Sequence, residues 1–146
     1  MPFSASSGRP ACLPSERWQS RARTAQALYA LTLARFVVEF LPFERWRSRI
    51  GGMQEATASD LDSSRRLAAH VDWAARLLPF EAKCLPRAIA LSWLLRRKGL
   101  GHAVVIAVRP EELRPSRDAL HAWVQVGQVK VMGDLPGPWI EAFRIG

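Results

Sequence analysis

KCLPRAIALSWLLRRKG, residues 83–99, reads as a well-formed helix with a cysteine at its start, and the rest of the chain can be placed around it. Pro86 falls in the first turn, where a missing N–H leaves no hydrogen bond unmade. Arg96, Arg97 and Lys98 fall in the last turn, where the helix dipole favours cations, and Gly99 is a C-terminal stop. Leu85, Ile89, Ser92, Trp93 and Arg96 line one side; Ala88, Leu91, Leu94 and Leu95 fill another. At the helix start the dipole and the unpaired N–H groups favour an anion, so Cys84 stands where a nucleophile is well served. The same N–H groups suit the oxyanion of a tetrahedral intermediate, the Cys84 amide first among them. The competing reading is a small cysteine buried in a core.

Downstream the pattern changes period. His102–Val108 is a β-branched, apolar run too short for a helix, and Val124 and Val126 alternate with Gln125. VGQV, residues 126–129, predicts a tight hairpin into a third strand, Val129–Met132, while RPEELRPSRD, residues 109–118, predicts a surface loop. Upstream the chain is helical. A helix is expected over Ser15–Leu41 with Ser15 as N-cap, ended by Pro42, then a short helix over Phe43–Arg49 and a turn at Gly51 and Gly52. A second long helix, from Ser59 or Asp60 to Leu78, follows from the spacing of Leu61, Leu67, Ala68, Val71, Ala74, Ala75 and Leu78, and Pro79 stops it. The fold class is therefore α+β: a helical N-terminal half, then a helix packed on a small antiparallel sheet. The expected organisation is a flexible tail over 1–14 and a single domain over 15–146, its helical part 15–80 and the sheet-bearing core 81–146.

The chain has 146 residues, 49% of them apolar, enough for one domain with a real core. Its two cysteines, Cys12 and Cys84, and the lack of a basic start followed by an apolar stretch point to a cytoplasmic protein with free thiols. Cys12, in the expected tail, reads as incidental. Arg35 and Glu39 interrupt the longest apolar run, Ala25–Leu41, which falls short of the roughly 18–20 uncharged residues of a membrane span. That run is read as a buried or partner-facing helix. A net charge of +8 raises nucleic acid as a partner, but the arginines are scattered and no nucleic-acid motif surrounds them. His70, His102 and His121 are too dispersed for a metal site, and no glycine-rich nucleotide loop is present, so neither metal nor cofactor is expected.

His121 opens HAWVQV at a strand start, and Asp134 follows the next strand in KVMGDLPGPW. If the hairpin closes at Gly127, the chain returns to the neighbourhood of His121, and Cys84, His121 and Asp134 form a workable thiol, imidazole and carboxylate unit. CLPRAIALSWLLRRKG, then VVIAV, then HAWVQV and GD, together with AARLLPFEAK before the cysteine and the earlier LPFERW, resemble the transglutaminase-like cysteine proteinase superfamily with its transglutaminase/papain-like core. More narrowly they resemble the B2-type leader peptidases of lasso peptide biosynthesis, over nearly all of residues 65–134.

That resemblance implies a cysteine protease that cleaves the leader from a ribosomally made lasso peptide precursor and frees the core N-terminus for macrolactam formation. It implies Cys84 as nucleophile, His121 as general base and acid, and Asp134 as the orienting acid. The family commonly carries Glu where this chain has Gln125. The implied partners are the precursor peptide, a separate leader-recognition protein of the B1 type and an ATP-dependent cyclase. Three other readings compete: acyl transfer to an amine by the same thioester chemistry, a non-catalytic peptide-binding module of the same fold, and a basic nucleic-acid binder.

Overall fold

The computed structural model describes residues 14–52, 55–113 and 119–146. Cys12, most of the expected tail and the second half of the 109–118 loop lie outside the described residues. Among the described residues four α-helices precede a four-stranded sheet: α1 (Pro14–Phe40), α2 (Phe43–Trp46), α3 (Ala58–Leu77), α4 (Cys84–Arg97), β1 (Ala103–Val108), β2 (Leu120–Val126), β3 (Val129–Met132) and β4 (Ile140–Ile145). The α+β class expected from the sequence is what the chain adopts.

The helix starts differ slightly from expectation. α1 begins at Pro14, so Ser15 lies inside it and is not its cap. α3 begins at Ala58 because Thr57 caps it: the Thr57 hydroxyl accepts from the Asp60 N–H while the Asp60 carboxylate accepts from the Thr57 N–H. The Thr57 N–H, and after it the Thr57 side chain, hold the Asp60 carboxyl below its usual range.

α4 sits at the centre of the molecule. Pro86, Ala88 through Ser92, Leu94 and Leu95 are all buried, so both sides read from the sequence are covered. α1 and α3 pack against it from one side and β1 and β2 from the other. α1 contributes Leu31 and the small side chains of Ala27, Ala30 and Ala34, and α3 contributes Leu67, Ala68, Val71 and Ala74. Removing the side chain of a residue such as fully buried Leu91 costs about 2–5 kcal/mol.

The sheet is antiparallel throughout, in the order β3-β2-β1-β4. Its interior strand β1 is buried on both faces. Val104 and Ile106, with Ala122 and Val124 of β2, face the helices; Val105, Ala107 and Trp123 face the other way under Trp139. β4 was not anticipated. Most of its side chains are exposed, and it is held by main-chain pairing along β1, with Val104 opposite Ile145 and Val108 opposite Ile140.

At Gly52 the chain is bridged to His102, at the start of the strand expected over His102–Val108 and in fact 4% exposed. Its Nδ1 lies 2.8 Å from the Leu100 carbonyl, which only accepts, so Nδ1 carries the proton. Nε2, 2.7 Å from Ser92 Oγ, then accepts from the hydroxyl, whose oxygen accepts from the Gly51 N–H at 2.8 Å. Every group is satisfied with the ring neutral. Burial, helped by the charge of Arg96, pushes the His102 pKa down despite the Leu100 bond; burial and then Arg23 lower that of His70. Between each lowered folded value and the ordinary 6.5 the unfolded chain takes up the proton and the folded one does not. Stability is therefore expected to fall as pH drops through the ordinary histidine range near 6.5 and to level off below the folded values. Denaturant midpoints across that range check this, and His102→Gln, which cannot titrate, should flatten the profile.

Candidate active site

Cys84 is the first residue of α4, and its neighbours leave main-chain donors free beside it. The N-cap residue Lys83 makes no side-chain cap, Pro86 has no N–H, and the Arg87 N–H closes the first turn on the Lys83 carbonyl at 3.2 Å. Among the described residues the Cys84 and Leu85 N–H groups meet no protein acceptor. Two donors therefore flank a half-buried free thiol. Across α4, Arg87 forms an ion pair with Asp72 of α3 and so ties this first turn to its neighbour.

The packing of α4 on β2 brings that turn to the start of the strand. Cys84 Sγ lies 3.9 Å from the carbonyl of Leu120, the residue immediately before His121. Among the described residues this is the hydrogen bond of the thiol, and none joins it to the imidazole. His121, 7% exposed, alternates to the face of the sheet that carries Trp123. Its ring centroid is 5.1 Å from that of Trp139 and 6.2 Å from that of Trp123. Arg109 stacks over Trp139 at 4.9 Å and Lys130 over Trp123 at 4.4 Å, so cations cover both indoles that wall the histidine.

The orientation of the imidazole comes from the main chain. His121 Nε2 is 2.6 Å from the Gly133 carbonyl. A carbonyl oxygen only accepts, so Nε2 donates and the neutral ring keeps its lone pair on Nδ1. Gly133 can deliver that carbonyl because it has no side chain: its φ is +79°, and a Cβ would stand 2.7 Å from the Ala122 carbonyl oxygen and 3.1 Å from Trp123 Cα.

The hairpin does return the chain to His121, as the sequence suggests, but it is Gly133 that meets the ring. The Asp134 side chain, 76% exposed, points to Lys130, with Oδ1 3.6 Å from Nζ. Gln125 donates from its amide to the Gly127 carbonyl at 3.0 Å and braces the hairpin. The residues that sequence reasoning missed here are Gly133, Leu120 through its carbonyl, and Trp139 as a wall of the histidine. A glycine directly after a predicted strand was the available signal for the first. An open cleft lined by Gly52, Glu55, His102, Gln125 and Arg144 lies at the opposite end of β1 and β2 from Cys84. Among the described residues no cluster of His, Cys, Asp and Glu could hold a metal ion, and no helix is long and apolar enough to cross a membrane.

A family model described as the transglutaminase-like superfamily matches residues 27–141, a span that contains Cys84, His121 and Asp134. No curated protein and no solved structure matches the chain.

Proposed function

The chain belongs to the transglutaminase-like superfamily, typically cysteine peptidases or transferases, and we propose that it is a cysteine peptidase that removes the leader from a lasso peptide precursor. The observation that carries the reading is the junction of α4 with β2. It sets a thiol flanked by free N–H groups against the main chain beside a histidine of defined tautomer.

In this reading the Cys84 thiol gives its proton to His121 Nδ1 and its sulfur bonds to the carbonyl carbon of the last leader residue. The Cys84 and Leu85 N–H groups stabilise the oxyanion. The C–N bond then breaks, and the amine of the core leaves with the proton from His121. His121 Nδ1 takes a proton from water as the water oxygen adds to the thioester, the C–S bond breaks, that proton passes to the Cys84 sulfur, and the leader departs as its carboxylic acid, which ionises in solution. The orienting part falls to the Gly133 carbonyl, while the Asp134 carboxylate, one residue on, pairs with Lys130. The partners are the precursor, a separate leader-recognition protein and the ATP-dependent cyclase that consumes the freed amine, and the setting is the cytoplasm.

Intact mass spectrometry of a precursor incubated with this protein and its recognition partner tests the proposal. Separate leader and core, their masses summing to the precursor plus one water, is the expected result. A leader joined to an added amine would reassign the chain to acyl transfer. An uncleaved precursor that nonetheless binds would make it a peptide-binding module.

A further inference from the structure

The outward face of α1 is apolar along most of its length. Trp18, Ala22, Ala25, Tyr29, Leu33, Phe36 and Phe40 are all exposed, and at about 100° per residue they fall within roughly 80° of one another. The buried residues Ala27, Ala30, Leu31 and Ala34 occupy the opposite side, so this stripe takes no part in the core. The rings of Phe36 and Phe40 lie against each other at 4.5 Å and leave the stripe bulky at its C-terminal end and small at Ala22 and Ala25. A continuous apolar stripe of this kind marks an interaction surface.

We propose that this stripe is the interface of a two-fold homodimer in which the α1 helices of two copies pair antiparallel about a point near residue 31. That register sets Ala22 against Phe40 of the second copy, Ala25 against its Phe36 and Tyr29 against its Leu33, so that small side chains receive large ones. The charges agree with the steric fit. Arg21 and Glu39 are exposed on the same flank of the stripe, where Glu39 also makes a loose 3.6 Å ion pair with Arg35 of its own helix. In an antiparallel pair like flanks meet, so Arg21 of each copy faces Glu39 of the other, twice by symmetry. A parallel pair would instead set Phe36 on Phe36 and turn Arg21 toward a flank made of Gln19, Gln26 and Val37, where no acid waits. α1 packs on α3 and α4 through its other face, which leaves the thiol at the start of α4 clear of the interface.

Sedimentation velocity of the full chain over a concentration series tests this. The wild type is expected to show a monomer–dimer equilibrium. Phe36→Asp, at a side chain 54% exposed, is expected to abolish the dimer with the far-ultraviolet circular dichroism unchanged. Arg21→Glu and Glu39→Arg should each weaken dimerisation about three- to tenfold, and the two together should restore it. A wild type that stays monomeric throughout, a dimer that survives Phe36→Asp, or a double reversal that restores nothing overturns the proposal.

Discussion

Cys84→Ala is expected to abolish cleavage of the precursor, lowering the rate by about five to six orders of magnitude, as loss of the nucleophile does in a catalytic unit whose members act together. The fold should survive. The side chain is only half-buried and its hydrogen bond, a 3.9 Å contact to the Leu120 carbonyl, is weak, so the change should cost about 1 kcal/mol. Binding of the precursor with its recognition partner should be kept, because the alanine leaves the free N–H groups at the start of α4 in place. Quantitative mass spectrometry of the cleavage products, beside a denaturation curve, checks both halves of the expectation. Equal cleavage by wild type and variant would remove Cys84 from the mechanism.

Gly133→Ala is expected to lower the turnover of precursor by about 10²–10⁴-fold with little change in KM, through loss of the orientation of His121. Alanine at φ +79° carries strain of about 1–2 kcal/mol. More decisively, its Cβ would be driven into the Ala122 carbonyl oxygen and Trp123 Cα, backbone atoms of a paired strand that cannot yield. The turn must move instead, and its carbonyl leaves Nε2. Gly127→Ala is the control: its φ is +58° but nothing lies within 4 Å of the new Cβ, so it takes the strain without touching the histidine. Asp134→Asn separates carbonyl from carboxylate. With Gly133 as the orienting group the loss stays below about tenfold, near 1.4 kcal/mol; a larger loss returns that role to Asp134.

The two long-range features of the site differ in how readable they were. That α4 starts at Cys84 follows from Pro86 in the first turn, cations in the last and Gly99 beyond, all signals within one helix. That β3 returns toward His121 follows from a two-residue turn at Gly127 between alternating runs, whereas the start of β2 comes to lie beside the thiol only through the packing of α4 on the sheet. Which group of the returning segment would touch the ring was not legible. Gly133 and Asp134 are adjacent in sequence, and the choice between them rests on a positive φ and a close approach to Ala122, neither of which periodicity reports. β4 escaped for a related reason: its side chains are mostly exposed, and its place comes from main-chain hydrogen bonds to β1 that no side-chain pattern encodes.

By itself, then, the sequence determined the helices, the strands up to β3 and the α+β class, because caps, breakers and hydrophobic period act over a few residues and are written in consecutive side chains. The tertiary structure alone decided that His102 is buried neutral against Ser92, that the Gly133 carbonyl and not the Asp134 carboxylate meets His121, and that one face of α1 stays uncovered. Each depends on which surfaces remain after distant segments have packed. Burial, main-chain approach and exposure are properties of the assembled chain, and no local stretch of residues specifies them.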